Sequence, residues 1–257
     1  MSAKIKVMTF NLRVRVEADG NNCFDFRQDK IIDVINSEAP ELIGFQEVTD
    51  RMLTFLKENL KDYYIVGHGR DKRMHGEGSP IAYRKDLFDL HGFRHEWLSL
   101  TPDVPASRVH GVNQSGCTRI LLRADLLHKD SDTPISFFNI HTDHHGEMSR
   151  VVECMILGQE MFKTPYRVIA TGDFNALPDS QSITLLLSNT RELGVVDATS
   201  EIAGSFHNFK GDCGTHKIDY IFTNLPTDPT QSYAIADDDS CGHYYSDHNA
   251  LCAWVEI

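Results

Sequence analysis

Between residues 167 and 177 the chain reads RVIATGDFNAL, a short apolar run that ends in polar side chains. Side chains alternate along a strand, so Asp173 and Asn175 share a face while Phe174 between them turns to the core. A carboxylate and a carboxamide at a strand end can meet a ligand without being buried unsatisfied. The same pair is also an ordinary turn signal, so its weight depends on the other strand ends. Those carry Asn11 with Arg13, Gln46 with Glu47, Asn139 with His141, Asp219, and Asp247 with His248. Gathered together, Asn11, Glu47, His141, Asp173, Asn175, Asp219, Asp247 and His248 give a site of up to four carboxylates, two histidines and two carboxamides. Hard oxygen donors in that proportion suit magnesium or manganese, whereas zinc asks for more His or Cys. No Ser or Cys stands in a nucleophile-elbow context, which leaves water as the natural nucleophile.

The elements that must position these groups follow from periodicity. Strands are expected over residues 4–12, 41–48 and 63–66, with helices over 27–37 and 50–60. The first helix buries Ile31, Ile32, Val34 and Ile35 and stops at Pro40; the second buries Met52, Leu53, Leu56 and Leu60. Residues 67–79 form a Gly-rich, locally basic loop in which Arg70, Lys72 and Arg73 could attract a phosphate. Residues 80–83 and 87–98 read as a hairpin-like pair, followed by strands at 118–126 and 134–140. A helix over 147–162 offers Val151, Val152, Met155, Ile156 and Met161 for packing. A short helix at 182–187 and strands at 216–223, 231–236 and 250–257 complete the chain, with Asp237 to Asp239 as a solvated turn. Many short strands and few amphipathic helices imply an α+β fold, two sheets face to face with helices outside.

At 257 residues and 41% hydrophobic the chain can bury a large core, and no Pro/Gly/Ser-rich linker divides it, so one domain over 1–257 is expected. The formal net charge of -12 argues against tight nonspecific binding to duplex DNA, although a metal or a basic loop can reverse the sign locally. Six scattered cysteines without a C-x-x-C pair read as reduced thiols. With no apolar stretch of signal-peptide or transmembrane kind, a cytoplasmic protein is expected, a removed leader aside.

Six segments in order, TFNLR (9–13), GFQEV (44–48), NIHTDH (139–144), TGDFNA (171–176), KIDYIF (217–222) and SDHNAL (246–251), resemble the endonuclease/exonuclease/phosphatase superfamily. The chain looks like one of its compact bacterial metal-dependent hydrolases. The resemblance implies a DNase I-like four-layer α/β/β/α sandwich of two mixed sheets with outer helices. It also implies a magnesium- or manganese-dependent phosphoric ester hydrolase. In that family Glu47 resembles the principal metal carboxylate, with Asn11 and Asp247 contributing. Asp173 resembles the residue that orients or deprotonates water, Asn175 the one that holds a phosphate oxygen, and His248, supported by Asp219, the phosphate-binding histidine. His141 takes the position near the leaving group.

Chemically these roles cohere. An Asp219–His248 hydrogen bond would orient the ring and favour the imidazolium, and either Asp173 or His248 could serve as the base. Arg119 and His207 resemble substrate-side residues. Arg13 stands where abasic-DNA endonucleases often carry an acid, which weakens a repair role and adds positive charge. A second metal at His144 and His145, beside Asp143, is set against ordinary loop hydrogen bonding. The expected activity is hydrolysis of a phosphodiester or small phosphorylated compound. The alternatives are a nuclease on single-stranded nucleic acid and a non-catalytic binding module, the latter opposed by the presence of Glu47, Asp173, Asn175, Asp219 and His248. Substrate identity resides in loops 14–26, 67–79 and 101–117.

Overall fold

Strands buried on both faces must be covered on both faces, and several strands of this chain are of that kind. The computed structural model describes residues 3–237 and 239–257; Met1, Ser2 and Asp238, the middle of the predicted acidic turn, lie outside the described residues. Every residue of β2 (Leu42–Gln46) is buried, as in β10 (Asp219–Thr223), and in β8 (Arg167–Asp173) only the first is exposed. These strands sit in the middle of two stacked, mixed sheets.

The first sheet comprises β1 (Lys4–Asn11), β2, β3 (Tyr63–Val66), β4 (Ile81–Arg84), β11 (Tyr233–Ala234) and β12 (Leu251–Glu256), ordered β11-β12-β1-β2-β4-β3. The second comprises β5 (Phe88–Trp97), β6 (Ile120–His128), β7 (Thr133–His141), β8, β9 (Val196–Asp197) and β10, ordered β5-β6-β7-β8-β10-β9. Each contains one parallel pair, β1–β2 and β7–β8. The crossovers are helical: α1 (Phe24–Glu38) joins the first pair and α3 (Glu147–Lys163) the second. Polar ends of all four parallel strands or the residues just after them, Asn11, Glu47, His141 and Asp173, therefore belong to the C-terminal edge, where open sheets accept ligands.

The layers separate cleanly. Val7, Leu42, Leu122, Phe137, Ile169 and Ile221 meet between the sheets. Outside the first sheet, α1 and α2 (Asp50–Asn59) lay Ile31, Ile35, Met52 and Leu56 on Phe10 and Phe45. Outside the second, α3 and α4 (Gln181–Asn189) lay Leu157, Ile183 and Leu186 on Ile140, Ala170 and Phe174. Near the site the sheets approach closely enough that a Cβ on Gly44 would lie 1.9 Å from the Thr171 hydroxyl, which is why glycine stands there. Asn139 spans that contact: its carboxamide accepts from Gln46 at 2.8 Å and donates to the Phe45 carbonyl at 2.7 Å. It binds sheet to sheet, whereas His141 at the strand's end reaches the cleft.

Some expectations need correction. Residues 80–83 and 87–98 are strands but not partners, because β4 joins the first sheet and β5 the second. Alternation reports a strand's faces and is silent about its neighbour. On α3 Met155 is exposed, the inner face being taken by Val151, Cys154, Leu157 and Met161. The expected strand at 231–236 shrinks to two residues because 229–231 turn as a 3₁₀ helix. Asp237 is not solvated, since its carboxylate is paired with Lys30 at 2.6 Å and accepts the Tyr245 amide. No helix among the described residues is long and apolar enough to cross a membrane.

Candidate active site

Two turns of the same construction aim the site. The Asp173 carboxylate accepts the Asn175 amide at 2.9 Å, and the Asn11 side-chain carboxamide oxygen accepts the Arg13 amide at 2.9 Å. Each is an Asx-type turn, so the turn-forming and site-forming roles of these residues coincide. Arg13, Glu47 and Asn175 all adopt positive φ (54°, 62° and 47°), a conformation that costs non-glycine residues energy and clusters at functional sites. Hydrogen bonds hold them there. The Glu47 carboxylate accepts from the Val14 amide at 2.7 Å and from the Asn11 carboxamide at 3.2 Å.

Across the second sheet His141, Asp173 and Asp219 lie in one registered row. Asp219 accepts from His248 Nδ1 at 2.8 Å, leaving Nε2 3.8 Å from Asp173. Burial pulls the His248 pKa down, but the Asp219 charge and hydrogen bond outweigh it and hold the ring as an imidazolium. Burial, then repulsion from Asp219, raises the Asp173 pKa, giving this carboxylate more appetite for a proton than an ordinary aspartate. His141, Nε2 3.5 Å from Asp173, is kept neutral by burial and by the neighbouring Arg119 and Arg70. Asp247, buried, has Arg13 3.7 Å away.

These groups open on a cleft of about 390 Å³. Of the residues singled out from sequence, Arg13, Glu47, Arg119, His141, Asp173, Asn175, Asp247 and His248 line it. Asn11 and Asp219 stand immediately behind, touching Asp173 and His248. His207 does not line the cleft. It is buried, its Nδ1 accepts from Gly211 at 3.2 Å, and its neighbours Phe206 and Asn208 take the lining position. Of the three cations in loop 67–79, Arg70 enters while Lys72 and Arg73 remain exposed. Glu77, Cys117 and Asn208, in loops without periodicity, also line the cleft, as does His216, which was expected to open the strand at 216–223 but precedes β10. Asp143 accepts from Ser115, His145 and Gly146, which is loop hydrogen bonding, and His144 Nδ1 accepts from Arg119 Nη2 at 2.9 Å.

Among the described residues, ligand atoms of Glu47, His141 and Asp173 lie within 4.8 Å of one another, as do those of Asp173, Asp219 and His248. The second group is already satisfied as an ion pair. The first presents the Glu47 and Asp173 carboxylates to the cleft, oxygen donors of the kind a hard divalent cation takes. Asn11 meets it as a donor, its oxygen being engaged by Arg13.

Behind the cleft Glu153 accepts the Asp143 amide at 2.7 Å, and burial pushes its pKa up to about 7. A carboxyl whose folded pKa exceeds its unfolded one loses its stabilising contribution as pH rises through the folded value. Between about pH 4.5 and 7 the wild type should therefore lose up to about 3 kcal/mol that Glu153→Gln retains. Unfolding midpoints of both proteins across that window check this; parallel curves would refute the raised pKa.

The model of the endonuclease/exonuclease/phosphatase family matches residues 8–248. An endonuclease/exonuclease/phosphatase family protein from Bacteroides thetaiotaomicron superimposes with a TM-score of 0.89 at 26% identity, over 100% of this chain and 99% of that one. A mannosyl-6-phosphatase from the same organism gives 0.83 at 27% identity, over 98% of this chain and 99% of its own. An uncharacterized protein of Acanthamoeba polyphaga mimivirus is 31% identical over 159 residues, and the match spans 58% of this chain and 58% of that relative's length.

Proposed function

Starting from a chain that belongs to the endonuclease/exonuclease/phosphatase family, we propose that it is a magnesium-dependent phosphoric ester hydrolase acting on a small phosphorylated compound. The observation that carries this is that one cleft of about 390 Å³ brings carboxylates together with an imidazolium and arginines. That volume is at the small-molecule end of ligand sites, and the net charge of -12 disfavours a long polyanion. The similarity to a protein named as a mannosyl-6-phosphatase points the same way.

Glu47, with Asp247 near, would hold the cation. When bound it supplies Lewis-acid stabilisation of phosphate oxygens and a more acidic water. The chain's own residues account for the rest. The His248 imidazolium, locked by Asp219, donates from Nε2 to a non-bridging oxygen and meets the charge that builds there. Asp173, with its raised proton affinity, takes the proton of the attacking water. His141, neutral, donates a hydrogen bond to the departing oxygen, and Asn175 orients the phosphate.

The test is a panel of p-nitrophenyl phosphate, bis-p-nitrophenyl phosphate, sugar monophosphates and a single-stranded oligonucleotide, with magnesium and with chelator. Magnesium-dependent turnover of the small esters, abolished by chelation, is expected. Turnover of the oligonucleotide alone would transfer the assignment to a nuclease, and silence on the whole panel would refute a hydrolase.

A further inference from the structure

The wall of the cleft opposite Asp247 and His248 contains a buried charge that the mechanism above does not use. Arg119 is 4% exposed and lines the cleft, yet only its Nη2 has a partner, His144 at 2.9 Å. Its Nε and Nη1 are buried without any acceptor, and among the described residues it makes no ion pair. Its neighbour Arg70 is different: Glu77 neutralises it at 2.6 Å, and its carbonyl is pinned by the Trp97 indole and the Thr118 hydroxyl at 2.9 Å each. A buried guanidinium lacking a counter-charge is costly, and in a protein of net charge -12 a carboxylate would be the ready remedy. The two unpartnered nitrogens flank Nη2 on different edges, and the second hydrogen of Nη2 completes a fork with one of them, suited to two oxygens of one anion.

Its place in the sheet separates it from the reacting centre. His141, Asp173 and Asp219 occupy consecutive strands β7, β8 and β10, and Arg119 immediately precedes β6 on the other side of β7. Two strand spacings, about 10 Å, therefore lie between the backbones that carry Arg119 and Asp173, with β7 between them. The oxygens held beside Asp173 already have His248 and Asn175.

We propose that Arg119, flanked by Arg70 and His144, is a second anion subsite, so that the substrate carries an anionic group, phosphate or carboxylate, in addition to the ester that is cleaved. This rests on the cleft being a phosphoester site only for what occupies its other end. The subsite selects by binding: a doubly anionic compound spans the cleft, and a singly anionic one engages the catalytic end alone.

Calorimetric titration with magnesium present, using inorganic phosphate, methylenediphosphonate and propane-1,3-diphosphonate, tests it. The wild type should bind at least one diphosphonate about 10-fold or more tightly than phosphate, as a charge-assisted fork implies. Arg119→Gln should lose that preference while binding phosphate as before, and Arg119→Lys, which keeps charge but not the fork, should lose most of it. Circular dichroism and unfolding midpoints establish that both variants fold. Equal wild-type affinity for all three probes would overturn the subsite, as would equal weakening of phosphate and diphosphonates by Arg119→Gln, which would place the arginine at the reacting phosphate. Preference without turnover of any ester would remove the hydrolase reading and leave the subsite standing; turnover without preference would do the reverse.

Discussion

Asp173→Asn lowers kcat by about 10³-fold on whichever ester the wild type turns over, within the usual range for loss of a general base, and leaves the unfolding midpoint unchanged or higher. The two halves of that expectation come from one feature. The Asp173 carboxylate is buried beside Asp219 and Glu47, and both burial and their charges raise its pKa. A carboxylate in that situation is strained as a charge and correspondingly able to take a proton. The amide cannot accept one, so the rate falls, and the repulsion it removes offsets the hydrogen bond it disturbs. That disturbance is specific: Oδ2 accepts from the Asn11 carboxamide at 2.9 Å and Oδ1 from the Asn175 amide at 2.9 Å, so an amide at 173 must turn one donor against another. Steady-state kinetics with a melting curve on the same preparation checks the prediction. A fall of less than about 10-fold would remove Asp173 from proton transfer, and a large drop in midpoint would make its role structural.

The separation of function from stability at this residue also explains what sequence can reveal. Asp173 and Asn11 were legible because strand alternation fixes which way a side chain faces, and Asn175, beyond the end of β8 at positive φ, because Asx turns at strand ends use the residue types that ligand sites use. The layered α+β architecture followed from the same periodicity, and the family resemblance of six ordered segments predicted the DNase I-like sandwich that the sheets and helices form. What stayed illegible lies where neither period applies. Asn208 rather than its neighbour His207 reaches the cleft because 208 and 209 both turn through positive φ, and nothing in GSFHNF encodes that choice. The entry of Arg70 instead of Lys72 or Arg73 depends on two hydrogen bonds to its carbonyl from residues 97 and 118, contacts across sequence that spacing cannot announce. The separation of β4 from β5 into opposite sheets is of the same kind: the pattern of each strand is correct and the partner is set elsewhere.

Arg27 supplies a second large effect, through the fold that carries the site. Its side chain is fully buried on α1, and burial pulls its pKa down to about 10, still charged at neutral pH. It donates to the carbonyls of Asn22 at 2.5 Å, Leu12 at 2.9 Å, Arg13 at 3.0 Å and Tyr245. Leu12 and Arg13 leave the strand that ends in Asn11, and Tyr245 begins the turn that delivers Asp247 and His248, so one guanidinium ties two site-bearing segments together. Arg27→Met fills much of the volume but leaves four carbonyls without that donor. With unsatisfied buried acceptors costing about 1–3 kcal/mol each and local relaxation recovering part, the net loss is about 4 kcal/mol, or roughly 10 °C in midpoint for a domain of this size. Arg27→Lys retains a cation with fewer donors and a different geometry, and should fall between the two. Because the loosened segments carry Asp247 and His248, phosphate binding weakens in the variant at temperatures well below its own transition, where a merely global loss of stability would leave binding intact. Calorimetric phosphate titration of the folded variant at low temperature distinguishes these: wild-type affinity there would reduce Arg27 to a residue of the core.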